Sequence, residues 1–445
     1  MNIEPQSLTP VYVTEEINQP LTLYEGDMKF IGNQGDRDII AHGTGTVKLN
    51  WFPTIRIKYS FKSNDSVAFN YEKPHVLELV NLKASCKAYA IKHHLSLGIS
   101  IKTEEVSGFL QETSVITSNS NLSYVIFHLT NFHHYLGDKI QNSSSRWRGR
   151  LLLEASGWKV TIDSVEPERL KELTRSLEDE GGYAITHVAK LEKSNKHTFT
   201  SEEALDILSG LSSFLSFARG IWVVPLLPIG FNAENIPTWE IWYSSTASAY
   251  QRNITSWFPV QRSENLTEAF VGFMNLWEDP DWQQPLQLAI HWYVESNLQA
   301  GAIDGSIILA HSALELLYEH RIGIFIKNNA ALKLEKLFKK SKLPINDLDS
   351  KSNLIIKLLE FAEEKKINMP KAITEVRNKL THLEQKEKVH PKSIRKEAWR
   401  LSLWYLELVL LDLFNYQGVY KNRLRFSWEG DYDELPKGSI HNHLV

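Results

Sequence analysis

The chain has 445 residues, 42% hydrophobic and 23% charged, which is more than one ordinary domain and the usual composition of a water-soluble globular protein. A net charge of -4 carries no overall signature of a nucleic-acid binder, and the single cysteine, Cys86, excludes an intrachain disulfide and a multi-thiolate metal site. The opening "MNIEPQSLTPVYVTEE" lacks the basic and apolar stretches of a secretory signal, and no run of 18 apolar residues marks a membrane helix, so a cytoplasmic chain with no membrane partner is expected.

Residues 1–165 read as a β-rich domain. "LTLYEGDMKFIG", "GTVKLNWF", "IRIKYSF", "CKAYAIKHHLSLGISI", "LSYVIFHLTNF" and "RGRLLLEASGWKVTIDSV" are rich in β-branched and aromatic residues with partial alternation. Turn chemistry separates them, in "GNQGD", "KSND", "TSNSN" and "QNSSS". An antiparallel sandwich or barrel is expected. Residues 166–285 read as a mixed α/β bridge: a short helix in "RLKELTRSLED", a strand in "YAITHVAKLEK", and a helix opened by a Thr200/Glu203 capping box, followed by the proline-broken "IWVVPLLPIGF".

Residues 286–425 read as a helical bundle. "PLQLAIHWYVESNLQ", "DGSIILAHSALELLYEHRIG" with Asp304 as its expected N-cap and Gly323 near its end, "ALKLEKLFKK", "KSNLIIKLLEFAEEKK", "MPKAITEVRNKLTHLEQKEK" and "PKSIRKEAWRLSLWYLELVLLDLFNYQG" are amphipathic and closely spaced. Residues 426–445 read as an irregular tail. The expected class is α+β and multidomain: an N-terminal antiparallel sandwich or barrel, a mixed middle and a C-terminal all-α bundle.

Charge is unevenly spread. Residues 321–400 hold 20 Lys/Arg against 10 Asp/Glu, a local balance of +10 in a chain of net -4. That is the footprint of a polyanion-binding surface, although lysine-rich helix faces are often simply solvated. The stretch "EVRNKLTHLEQ", residues 375–385, lies inside it. Pro370 suits the first turn of its helix. With residues 100° apart, Ile373, Val376, Leu380 and Leu383 share an apolar arc about 80° wide. Asn378 and His382 share the opposite face, with Thr381 at its edge. Arg377 flanks the arc on a side chain long enough to swing toward the polar face. A guanidinium holds a phosphate bidentately and an imidazole moves protons near neutral pH. Together they suit RNA cleavage with the 2′-OH as nucleophile, arginine stabilising the phosphorane and histidine acting as acid or base. One such pair is sparse for both proton-transfer roles; two copies across a two-fold axis supply both.

R-N-x-x-x-H late in a helical bundle resembles the signature of the HEPN superfamily (higher eukaryotes and prokaryotes nucleotide-binding domains). The resemblance covers residues 286–425, and Arg377, Asn378 and His382 match its motif position by position. It implies a metal-independent endoribonuclease (a hydrolase of the toxin–antitoxin, abortive-infection or antiviral defence type) that acts as a homodimer on RNA, tRNA among the candidate targets, with no cofactor and no metal. Arg377 and His382 carry over as the catalytic pair and Asn378 as an orienting residue. Glu315, on a helix similar to the early HEPN helix, carries over as a supporting acid, with Thr381 and Lys379 as further supporting candidates. The β-rich front half resembles the sensor or regulatory domains that precede a C-terminal HEPN domain, which implies a phage-derived trigger or regulator as partner. Other members bind nucleotides without cutting, so a non-catalytic nucleotide- or partner-binding protein is the alternative.

Other constellations carry less. His128, His133 and His134 in "FHLTNFHHYLGD" fit a strand and turn better than a metal site. "HNH" at 441–443 is too close to the C-terminus for a ββα nuclease unit. No nucleotide-binding glycine loop and no G-x-S-x-G elbow occurs.

Overall fold

The computed structural model describes residues 4–34, 37–68, 70–97, 102–117, 121–299, 301–327, 329–346, 348, 352–382, 388–428 and 430–436. Leu383 and the HNH triplet lie outside these residues.

The chain is mixed α/β, with antiparallel sheets in front and helices concentrated behind. Strands β1 (Leu21–Gln34), β2 (Arg37–Asn50), β3 (Arg56–Ser63), β4 (His75–Leu79), β5 (Ala84–Leu97) and β6 (Lys102–Leu110) close a barrel in the order β1-β2-β3-β6-β5-β4. The alternation read in the sequence sets its inside: Ile57, Tyr59 and Phe61 of β3 point inward, as do Leu77 and Leu79 of β4. Each such aromatic or aliphatic side chain contributes about 1.5–3 kcal/mol by leaving water. Closure through β1 and β4 leaves this sheet without a free edge.

A second sheet follows. Strands β7 (Thr113–Thr117), β8 (Tyr124–Thr130), β9 (Asp138–Gln141), β10 (Arg146–Ala155) and β11 (Trp158–Ser164) lead through helix α1 (Pro167–Glu180) to β12 (Ile185–Lys193). Helix α2 (Ser201–Arg219) precedes β13 (Leu226–Phe231) and β14 (Pro237–Trp242). The eight strands pair in the order β7-β14-β13-β8-β12-β11-β10-β9. The boundary expected at residue 165 therefore falls inside one sheet, because β12, β13 and β14 complete it. The Thr200/Glu203 capping box opens α2 as expected: Thr200 Oγ1 accepts from Glu203 N at 3.2 Å, and Glu203 accepts from Thr200 N at 2.9 Å.

Among the described residues seven further helices form the C-terminal bundle: α3 (Glu264–Trp277), α4 (Pro280–Asn297), α5 (Ala302–Arg321), α6 (Ala330–Lys340), α7 (Ile356–Lys365), α8 (Met369–Thr381) and α9 (Lys392–Leu413). Helix α3, inside the stretch read as mixed, packs against β10 and places Phe270 and Phe273 in the core. Gly272 permits its close approach to the end of α9, since a Cβ there would lie 1.7 Å from Phe414 O. One apolar core runs from the sheet (Phe127, Leu153, Ile162) through α2 and α3 into the bundle (Tyr293, Leu314, Tyr405). The bundle is thus not an independent unit hung on a β domain; sheet and helices are buried against each other.

Three local expectations are corrected. Asp304 is not an N-cap: α5 starts at Ala302 after Gly301, whose φ of 69° glycine tolerates, and Asp304 sits in the first turn bonded to Arg395. Helix α8 ends at Thr381, before His382, which was expected within it; residues 383–387 of the expected helix lie outside the described residues. The tail is not wholly irregular, since Asp433–Glu434 pairs with Val419–Tyr420. Among the described residues no helix is long and apolar enough to cross a membrane.

Candidate active site

Helix α8 begins as its sequence dictates. Asn368 caps it by accepting from Lys371 N at 3.0 Å, and Pro370 lies in the first turn, where its missing N–H costs nothing. Ile373, Thr374 and Val376 are buried and Leu380 half-buried, against α5, α6, α7 and α9. Asn378 and Thr381 are exposed, as the helical spacing requires.

Arg377 does not simply swing to the polar face. Its guanidinium lies across the surface between α8 and α5: Nη2 donates to Glu315 Oε1 at 3.2 Å and Nη1 donates to Asn378 Oδ1 at 3.0 Å. Its Nε is buried and makes no hydrogen bond. Arg377, Asn378 and Glu315 are therefore brought together, and the acid expected to support the site touches the arginine directly.

His382 is placed differently from the expectation. It is the residue that ends the helix, at φ -135° and ψ 57°, with its N–H bonded to Asn378 O at 2.8 Å. It no longer shares a helical face with Asn378 in the strict sense, although it remains exposed at the same end. Thr381 Oγ1 donates toward the carbonyls of Arg377 and Asn378, each at 3.4 Å. Lys379 is half-buried beside them.

The sequence reading passed over His311. It lies one turn before Glu315 on α5 and is fully buried. Its Nδ1 is 3.0 Å from Glu315 Oε1 and its Nε2 3.2 Å from Thr374 Oγ1, whose own proton goes to Pro370 O at 2.7 Å. The hydrogen bond from His311 holds Glu315 below the usual carboxylate range against burial, and Arg377 adds to the effect. Glu315 is thus an acceptor, so Nδ1 of His311 carries a proton. Burial pushes His311 itself below its ordinary value, opposed by Glu315. The i, i+4 spacing of His311 and Glu315 in "HSALE" was the available signal. The result is a chain His311–Glu315–Arg377–Asn378 across two helices. It fixes a guanidinium at the surface, five residues before the exposed His382.

Comparison with known proteins adds a family-level likeness. The chain is similar to the YopA proteins. Residues 117–253 match the YopA central domain and residues 279–434 the YopA C-terminal domain. The SPbeta prophage-derived uncharacterized protein YopA of Bacillus subtilis (strain 168) is 26% identical over 443 residues, which is 98% of this chain and 99% of that protein. No solved structure matches. The C-terminal match contains both helices of the site, α5 and α8. The central match begins within β7 and runs past β14, so it takes in nearly all of the eight-stranded sheet.

Proposed function

We propose that the chain is a metal-independent endoribonuclease of the HEPN type, an anti-phage or toxin-like effector that cuts RNA, tRNA among its candidate targets. The observation that supports this reading most is the anchoring of Arg377 by Glu315 and Asn378, five residues before an exposed His382. Two copies would pair across their α8 ends. In each cut, one His382 takes the proton of the 2′-OH as the 2′-oxygen attacks phosphorus. The other gives a proton to the 5′-oxygen as the P–O5′ bond breaks, leaving a cyclic phosphate and a 5′-OH. The Arg377 guanidiniums stabilise the charge of the phosphorane. The prophage origin of the B. subtilis relative fits an effector used in phage competition.

The test is incubation of the full chain with labelled total RNA in EDTA, beside Arg377→Ala and His382→Ala. Cleavage by the parent alone supports the reading; equal behaviour of all three proteins rejects it. One observation favours the alternative of a non-catalytic nucleotide- or partner-binding protein: Glu315 already neutralises part of the Arg377 charge. That reading predicts RNA or nucleotide affinity without cut products.

A further inference from the structure

A second basic site lies away from Arg377. A cavity of about 370 Å³ opens between the end of α4, the first turns of α9 and the segment after α9. Lys396, Arg400, Lys421, Arg423 and Arg425 all line it, and no Asp or Glu does among the described residues. Two of these charges are answered from behind. Arg423 donates from Nε to Glu407 Oε2 at 2.8 Å, both side chains buried, and Arg425 pairs with Asp433. Three remain. Lys396 and Lys421 form no ion pair among the described residues, and Arg400 donates Nη1 to Leu354 O at 2.8 Å. Glu397, the carboxylate that acts on Arg400, is itself turned to the backbone N–H of Leu358 at 2.7 Å.

Two further features show crowding of positive charge. Burial, and then Arg423, hold Arg400 below its ordinary value. Arg425 Nε is buried and makes no hydrogen bond. Cations gathered at a half-enclosed polar surface, without anions to match, repel one another and lose hydration. A bound anion reverses both terms. The volume falls in the range of small-molecule pockets rather than of a track for a polymer. Guanidinium forks bind planar or tetrahedral oxyanions bidentately. Phe426, 77% exposed, stands at the rim and offers a ring face beside the cations.

We propose that the cavity between α4, α9 and residues 421–427 binds a small ligand carrying two or more linked phosphates, held by Lys396, Arg400, Lys421 and Arg425. The shared chemistry is the polyphosphate group; a nucleotide or an inorganic chain can supply it, and the arms of the experiment separate them. The site is independent of the nuclease reading, because it uses none of Arg377, Asn378, His382 or Glu315.

Calorimetric titration of the full chain with ATP, tripolyphosphate and AMP at low salt tests it, with Arg400→Gln and Lys421→Gln in parallel. ATP or tripolyphosphate binds, AMP binds at least about tenfold more weakly, and each cavity variant weakens binding about tenfold or more, the scale of one charge-assisted hydrogen bond. Tighter binding of ATP than of tripolyphosphate assigns a base contact, and Phe426→Ala removes that difference; equal binding assigns the phosphates alone. No heat with ATP or tripolyphosphate at about 1 mM, or unchanged affinity in both cavity variants, overturns the proposal. Lys421→Gln keeps the test valid if Arg400→Gln fails to fold, since the Lys421 side chain makes no hydrogen bond or ion pair among the described residues.

Discussion

Acid loosens this protein through its buried histidines, and His128 shows how. Nε2 of His128, on β8, accepts from the backbone N–H groups of both Val11 and Tyr12, at 3.2 and 3.0 Å. Its Nδ1 faces Leu226 O at 3.4 Å. The ring is fully buried, so only the neutral form with an unprotonated Nε2 can hold the N-terminal segment on the sheet. Burial pushes His128 down from 6.5 to about 4. The folded value lies below the unfolded one, so the unfolded chain takes the proton first and stability falls as pH drops through the unfolded value. At pH 5 the difference is about 1.5 units, or about 2 kcal/mol at about 1.4 kcal/mol per unit. His187, buried and held at about 3 chiefly by burial, loses about the same again. Urea denaturation at pH 8 and pH 5 measures these two contributions, about 4 kcal/mol, together with those of His133 and His311, which burial also holds below their ordinary values. In His128→Gln the amide oxygen accepts the same N–H groups without titrating, so the loss between the two pH values shrinks by about 2 kcal/mol. Amide exchange at Val11 and Tyr12 accelerates in the parent at pH 5. Equal pH dependence in the parent and His128→Gln would refute the assignment.

Two other perturbations test the bundle. Glu407 and Arg423 are both buried, and Glu407 also accepts from Tyr293 Oη at 2.7 Å. Glu407→Leu leaves an uncompensated buried guanidinium and costs about 3–5 kcal/mol in the same denaturation assay, while Glu407→Leu with Arg423→Met recovers most of it. Glu315→Gln retains an acceptor for Arg377 but removes the charge that positions it; stability falls by less than about 1.5 kcal/mol while RNA cleavage falls about tenfold or more. A merely structural Glu315 would show the stability loss with cleavage unchanged.

The strands of the barrel were legible because alternation is a local signal: Ile57, Tyr59 and Phe61 advertise an inward face in any six-residue window. The eight-stranded sheet was not, because β12, β13 and β14 join it from across α1 and α2, and pairing at that sequence distance leaves no local trace. Its strands are also buried on both faces in places, as in "YVIFHLT", where periodicity vanishes. The motif helix was readable to its cap and its apolar arc. Its end was not, since no glycine marks it and "THLEQKEK" continues with good helix formers. Arg377 was found from its motif; its anchor was half found, through Glu315. His311 was passed over because a histidine amid "IILAHSALELL" reads as core, and only the fold brings Thr374 and Glu315 to its two nitrogens.

We propose that Arg377 and His382 cut RNA through its own 2′-OH, and end-group analysis of RNA treated with the full chain in EDTA tests this. The parent protein is expected to leave new 2′,3′-cyclic phosphate and 5′-OH ends, and His382→Ala none above background. Cyclic ends from His382→Ala at the parent's rate, or no such ends from the parent, would contradict it.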